Sequence, residues 1–301
     1  LVIVTLMAAI SWMFSHEALK LMPPQLFIGV RFLMAGLLLA LLDLDTLKRL
    51  SFYQIRRGLT VGLVFGVAMS CWIMGLKHAT HVGEGAFLTS LAVVLVPVMA
   101  RLFFGESAPA STWLALPVAV TGLALLAVPS GMELAPWQLF FIGAASLFAF
   151  YYNLNTRAAN HGRVRGPDGQ WQTIERIPAM ALTSLALLAV GALALCLSLI
   201  LERPEIQETV VTWPLVGWVT ASAIIGTAGR FLLQTHAQSL STHSHGVVIM
   251  VVEPVWTAIM AALWIGESMS AVQLAGCAVI FAALLVTRWR ALRGMLKSVL
   301  G

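Results

Sequence analysis

Residues 83–107 read GEGAFLTSLAVVLVPVMARLFFGES, a mostly apolar run that ends in a Gly-Glu-Ser turn. A helix of about 20 such residues crosses the hydrocarbon core of a bilayer. This run predicts a span over 83–103, and nine further runs of the same kind lie at 1–19, 25–42, 58–76, 110–128, 136–156, 178–200, 213–235, 245–265 and 271–288. The sequence therefore predicts an all-α polytopic membrane protein with ten transmembrane helices.

The composition of the chain excludes most classes of soluble protein. Hydrophobic residues make up 59% of the 301 residues and charged residues 10%, with a mean hydropathy of +0.90. Because soluble proteins carry roughly 25% charged residues, we exclude a soluble enzyme, a nucleic-acid-binding protein and a disordered chain. The three cysteines and the scattered histidines have no spacing typical of a disulfide framework or a metal site.

The distribution of Lys and Arg predicts the orientation of the chain. If the N-terminus is inside, the outer loops hold only Lys20, Lys77 and Arg203. The inner loops and the C-terminal tail hold Lys48, Arg49, Arg56, Arg57, Arg101, Arg157, Arg163, Arg165, Arg176, Arg288, Arg290, Arg293 and Lys297. Since cytoplasmic loops carry the excess of basic residues, we expect both termini in the cytoplasm of a bacterial inner membrane.

The chain contains an internal repeat. When the sequence is shifted by 161 residues, Gly105-Glu106-Ser107 falls on Gly266-Glu267-Ser268, and Gly85 falls on Gly246. Spans three to five then fall on spans eight to ten. Five spans in each half give the halves opposite orientations in the membrane, which is the inverted repeat of many secondary transporters.

This repeat divides a single membrane domain, 1–301, into two parts. The first half covers 1–131, and the second covers 132–301 with a cytoplasmic loop near 157–177. We also expect Gly105 and Gly266 to end their helices in the left-handed conformation, and Ser270 with Gln273 to form a capping box for the last helix. No transport role is expected of these turns.

The two halves resemble the EamA repeats of the drug/metabolite transporter superfamily. The matching stretches are Trp12 to Lys20 followed by Pro-Pro and Arg31-Phe32, 86–91 (AFLTSL) leading to Gly105-Glu106, 252–255 (VEPV) leading to Gly266-Glu267, and 274–276 (LAG). The resemblance implies ten helices with both ends inside, a central cavity, and transport of small metabolites by alternating access. One departure is that the first half has Val93 where the second has Pro254, and carries Pro97 instead.

Charged residues inside the spans are candidates for the transport site, because a charge in hydrocarbon is costly. Glu17 and Arg31 lie toward the outer side, and Arg230 and Glu253 lie toward the inner side. They are expected either to flank the cavity, where they bind a zwitterion or gate each side, or to form static pairs within each half. A further alternative for Glu17 and Arg31 is that they snorkel to the outer interface.

Two residues are candidates for proton coupling. Glu253 in a site of low dielectric can take up a proton near neutral pH, and His16 can relay protons inside span one. Proton-coupled antiport would use either group. The adjacent Pro254 removes a backbone donor, which predicts a weakened helix at a docking point or a permanent kink.

Aromatic and amide side chains complete the candidate site. Tyr152 and Asn155 share a face of span six and can bind substrate, or they can belong to an interfacial belt. Trp72 and Trp256, with Trp12, can line a cavity for a ring-bearing or cationic ligand, or they can be core residues.

The sequence favours a secondary transporter that exports an amino acid or related amphoteric metabolite and needs no cofactor. Its partners are expected to be a small-molecule substrate, the lipid bilayer and protons. Uptake or exchange of a cationic or nucleotide-related metabolite is an alternative, as is a channel or scaffold. An intramembrane enzyme is the least favoured, because no nucleophile motif, paired aspartates or metal triad is present, and no P-loop indicates direct ATP coupling.

Overall fold

The computed structural model describes residues 2–106, 110–127, 135–160, 162–165, 171–239 and 253–300. These residues are mainly helical. The helices are α1 (Val2–Ala18), α2 (Pro24–Leu42), α3 (Leu44–Arg49), α4 (Phe52–His78), α5 (Val82–Phe104), α6 (Ala110–Ala127), α7 (Pro136–Ala159), α8 (Ala179–Leu201), α9 (Arg203–Glu208), α10 (Trp213–Ala223), α11 (Arg230–Ser239), α12 (Glu253–Ile265) and α13 (Ala271–Leu300). A π-helical turn, Ile224–Gly229, joins α10 to α11.

Each of the ten predicted spans contains a helix, although 245–252 of the ninth lie outside the described residues. Among the described residues, five helical segments are long and apolar enough to cross a membrane: Pro24–Leu42, Phe52–His78, Val82–Phe104, Ala179–Leu201 and Trp213–Ala237. The short helices α3 and α9 connect longer ones. The fold is therefore that of a polytopic membrane protein.

The predicted cytoplasmic loop contains a short hairpin of two four-residue strands, and the fold class remains all-α. Strand β1 (Gly162–Arg165) pairs antiparallel with β2 (Trp171–Ile174), with Gly162 opposite Ile174. The intervening sequence Gly166-Pro167-Asp168-Gly169 is typical of a turn between strands. Pairing satisfies backbone groups that an open loop would leave to water.

The helix ends follow the local signals in the sequence. Gly105 and Gly266 have φ angles of +68° and +66°, so both Gly-Glu-Ser turns end a helix in the left-handed conformation, as predicted. The capping box of Ser270 and Gln273 is also confirmed. Helix α4 begins six residues before its predicted start because Ser51 and Gln54 form a second capping box.

Glycines allow the helices to pack closely. Helix α2 lies along α8, α6 along α13, and α4 against α7 and α8. A Cβ atom on Gly62 would lie 2.6 Å from Ala189 Cβ and 2.7 Å from the backbone oxygen of Ala186. Small residues are typical of contacts between membrane helices, since their backbones can approach closely.

Two buried carboxylates join the predicted halves by capping helix N-termini. Glu202 accepts hydrogen bonds from the backbone N–H groups of Gln25 at 2.9 Å and Leu26 at 3.0 Å. Glu267 accepts from Val82 at 2.9 Å and Gly83 at 3.2 Å. In both cases an acid near the end of one helix satisfies the N–H donors at the start of another.

Candidate functional site

Arg230 and Glu253 form an ion pair between α11 and α12. The Nη2 atom of Arg230 lies 3.1 Å from Oε2 and 3.4 Å from Oε1 of Glu253. Trp12 on α1 donates its indole N–H to Glu253 Oε1 at 3.4 Å. The side chains of Arg230 and Glu253 are 13% and 17% exposed, so the pair is largely withdrawn from solvent. The structure thus brings three candidate residues together.

Aromatic rings surround this pair. Trp12 packs edge-on against Trp72 with 4.8 Å between centroids. The guanidinium of Arg230 lies 4.6 Å from the ring centroid of Phe231, and Tyr152 lies within electrostatic range of both Arg230 and Glu253. The helices α1, α4, α7, α11 and α12 therefore contribute to one aromatic-walled polar centre.

Arg31 does not pair with Glu17 and does not snorkel, which corrects both alternatives. It is 2% exposed and donates to the hydroxyls of Ser11 at 2.5 Å, Ser15 at 2.8 Å and Thr227 at 2.5 Å. These acceptors are neutral, and sequence reasoning missed them because it sought a carboxylate. Packing against α1 and the π-helical turn holds the guanidinium in the interior.

The π-helical turn and Arg31 stabilise each other. A π turn breaks the regular helical ladder and frees backbone carbonyls. Here the carbonyl of Gly226 accepts from Arg31 Nη2 at 3.2 Å, and that of Ser222 accepts from the Thr227 hydroxyl at 2.9 Å. Arg230 begins α11 directly after this turn.

Glu17 and His16 lie apart from this centre at the end of α1. Glu17 accepts from Lys20 Nζ at 2.8 and 2.9 Å, and its Oε1 lies 3.4 Å from His16 Nδ1. The side chain of His16 is 27% exposed. Glu17 is thus neutralised by a neighbour on its own segment.

Polar atoms without hydrogen-bond partners accompany the ion pair. Among the described residues these include Arg230 Nε, Trp256 Nε1 and both amide atoms of Gln234. Gln234 is 1% exposed and follows Arg230 by four residues, so the two share a face of α11. Trp256 follows Glu253 by three residues on α12. Sequence reasoning missed Gln234 because it considered only charged and aromatic residues in that span.

The polar cluster on α7 faces other helices. Asn155 is 1% exposed, so an interfacial belt is the wrong interpretation for this residue, and the neighbouring Tyr151 is 2% exposed. Tyr151 stacks on Phe65 with 4.2 Å between centroids. Asn153 donates to the backbone of Val96 at 2.9 Å, which is a structural contact.

Glu84 is a buried carboxylate that sequence reasoning overlooked. It is 1% exposed and accepts from Gln138 Nε2 at 2.5 Å and Gln273 Nε2 at 3.1 Å. Sequence reasoning considered only charges deep inside the spans, and Glu84 lies in the first turn of α5, at the edge of the predicted span. The described residues contain no group of three His, Cys, Asp or Glu that could hold a metal ion, and His243 and His245 lie outside them.

Comparison with known proteins identifies a family whose model matches this chain. The model of the EamA-like transporter family matches residues 1–128 and 169–289. No curated protein matches the chain. A solved structure, described as "Crystal structure of protein", is 20% identical, with 96% of each chain covered and a TM-score of 0.63, which is a likeness of fold.

Proposed function

Because the chain belongs to the EamA-like transporter family and is therefore a membrane transporter, we propose that it exports a small amphoteric metabolite by secondary active transport. The ion pair of Arg230 and Glu253 carries this proposal. A zwitterion offers a carboxylate to Arg230 and an ammonium group to Glu253, so it can replace each partner of the pair. When the substrate binds, its two charged groups replace the contact between Arg230 and Glu253, so neither side chain is left without a partner of opposite charge.

Alternating access in this proposal uses two inverted five-helix halves, 1–131 and 132–301. The packing of α4 and α5 on α7, with that of α10, α11 and α12 on α1, supports it, because the two sets of contacts exchange places when the halves are exchanged. Two separate matches to the family model and the equivalent Gly105 and Gly266 turns support it further.

Proton coupling in this proposal belongs to Glu253. A proton on this carboxyl would weaken its bond to Arg230 and free the guanidinium for substrate. His16 is less suited, since its contact is with Glu17 and Lys20 already neutralises that carboxylate. The charge distribution of the loops supports both termini in the cytoplasm, and the membrane that we propose is a bacterial inner membrane.

A cationic metabolite, taken up or exchanged, is the second candidate substrate. The aromatic contact between Trp12 and Trp72 next to Glu253 favours it, because indole faces attract quaternary ammonium groups.

Exchange in proteoliposomes tests the proposal. Vesicles preloaded with labelled amino acids, nucleosides and amines are assayed with and without a pH gradient. Glu253→Gln should lower gradient-driven efflux of the transported class more than about tenfold, because it removes one partner of a buried pair. The matched control is Glu205→Gln on the exposed helix α9, which should leave efflux unchanged.

Gradient-driven efflux at the wild-type rate in Glu253→Gln would remove Glu253 from the coupling mechanism. Absence of exchange for every class, with folded protein in sealed vesicles, would contradict transport of such metabolites.

A further inference from the structure

The charges at the centre of the molecule do not balance. Arg230 is paired with Glu253, whereas the hydrogen bonds of Arg31 go to three hydroxyls and the carbonyl of Gly226. Among the described residues, the centre thus holds two guanidinium groups and one carboxylate. Residues 240–252, which lie outside them, contain no Asp or Glu.

The two guanidinium groups lie within electrostatic range of each other, on a pair of packed aromatic rings. Arg31 lies 5.5 Å from the centroid of Phe32, and Arg230 lies 4.6 Å from that of Phe231. The two rings are themselves 6.0 Å apart. Since aromatic rings and buried helices screen charge poorly, the field of Arg31 adds to that of Arg230.

The other carboxylates in the spans are compensated elsewhere. Glu17 is neutralised by Lys20. Glu84 accepts from two amides and stands in the first turn of α5, where the positive end of the helix dipole stabilises its charge. Among the described residues, the hydrogen-bond partners of Arg31 include neither carboxylate.

The polar atoms without hydrogen-bond partners favour an anionic ligand, as the excess of positive charge does. Arg230 Nε, Trp256 Nε1 and Gln234 Nε2 are donors without partners, and Gln234 Oε1 is the one acceptor among the unpaired atoms of these three residues. A buried donor without an acceptor is costly, so a ligand rich in acceptors gains most at this place. A carboxylate supplies two acceptor oxygens.

We propose that the transported metabolite is an organic anion with one more acidic than basic group, bound through a carboxylate by Arg230, Trp256 and Gln234 in the field of Arg31. This inference rests on the proposed transport function and specifies its substrate class. The aromatic wall of Trp12, Trp72 and Tyr152 receives the apolar part of the anion. Arg31 does not touch the ligand; its fixed charge determines which ligands bind.

Binding of matched probes to the purified wild-type protein tests the inference. N-acetylphenylalanine, phenylalanine and phenethylamine share one ring and carry charges of −1, 0 and +1 at neutral pH, and glutamate and glutamine form a second matched pair. Calorimetric titration should show that the anion in each set binds about tenfold more tightly than its neutral counterpart. Equal or tighter binding of the neutral or cationic probe, or no binding by any probe, would overturn the inference.

Two substitutions separate the charge of Arg31 from its structural role. Arg31→Lys keeps the charge, and Arg31→Met removes it. The ratio of anion to zwitterion affinity should persist in the first and fall toward one in the second. A purely structural role would weaken both probes alike and leave the ratio unchanged, which would contradict the role given to the charge.

The proteoliposome assay distinguishes a failure of the anion inference from a failure of the transport function. If it identifies a neutral or cationic substrate, the anion inference fails and the transport function stands. If nothing is exchanged, the transport function itself fails.

Discussion

Arg31 shows how a membrane interior can hold a cation without a carboxylate. Three hydroxyls and one carbonyl accept its hydrogen bonds, and the rings of Phe27 and Phe32 each lie 5.5 Å from its guanidinium carbon. Each acceptor replaces a bond to water that the buried group has lost. Removal of any one acceptor should therefore destabilise the protein.

Thr227→Val should destabilise the protein by about 2 kcal/mol, because it leaves Arg31 Nε without an acceptor and keeps the shape of the side chain. Thr60→Val is the control, since the Thr60 hydroxyl is exposed and bonds a carbonyl of its own helix. Thermal unfolding in detergent measures both. An equal shift of the unfolding temperature in the two variants would show that the bond to Arg31 contributes nothing.

The sequence predicted which side chains are polar and buried better than it predicted their partners. Arg230 and Glu253 stand in neighbouring spans, and the pairing that this suggested is present. The same reasoning failed for Arg31, whose hydroxyl partners are too common along the chain to be recognised. Gln234 carries no charge, so its cost of burial is invisible to a search for charged residues.

At the scale of single elements, the sequence predicts where the helices lie but does not predict their irregularities. Apolar runs and caps such as Ser51–Gln54 predict where helices lie, because length and local hydrogen bonds determine them. The π-helical turn after Ala223 has no comparable signal, and the strands of the hairpin are indicated only by the turn sequence between them. The π-helical turn depends on contacts with Arg31, which is distant in the sequence.

Contacts between helices depend on small residues, and Gly62→Ala should therefore destabilise the protein. The new Cβ would meet backbone atoms of Ala186, which cannot move aside as a flexible side chain can, and we expect a loss of more than about 1 kcal/mol. Gly143→Ala is the matched control, because no atom lies within 4 Å of the added Cβ. It should be neutral or stabilising by up to about 1 kcal/mol through helix propensity.

Unfolding midpoints of the two alanine variants provide the measurement. Equal stability of Gly62→Ala and Gly143→Ala would mean that the contact between α4 and α8 can adjust.

At the scale of the whole molecule, carboxylates from the second predicted half, 132–301, hold helices of the first predicted half. Glu267, in the turn after α12, caps α5 and lies 3.8 Å from His81. Burial raises the pKa of Glu267 above its ordinary value of 4.5. The N–H groups of Gly83 and Val82 and the nearby histidines His81 and His16 lower this pKa, but by less than burial raises it. Glu84 is an acidic residue near Glu267.

This shift has a defined consequence for stability against pH. Because the folded state holds the proton more tightly than the unfolded state, the free energy of unfolding should fall as the pH rises from 4.5 through the raised pKa, and then level off. Glu267→Gln should remove this slope. Unfolding midpoints across this range compare the two proteins, and parallel pH profiles would contradict the prediction.

The π-helical turn between α10 and α11 also determines the register of the chain beyond it. One extra residue in a helix rotates every later side chain by about 100° around the axis. Without that rotation, Arg230 and Gln234 would both point away from Glu253. The geometry of the ion pair therefore depends on a single inserted residue. A chain shortened by one apolar residue within Ile224–Gly229 would keep every polar side chain but would separate Arg230 from Glu253.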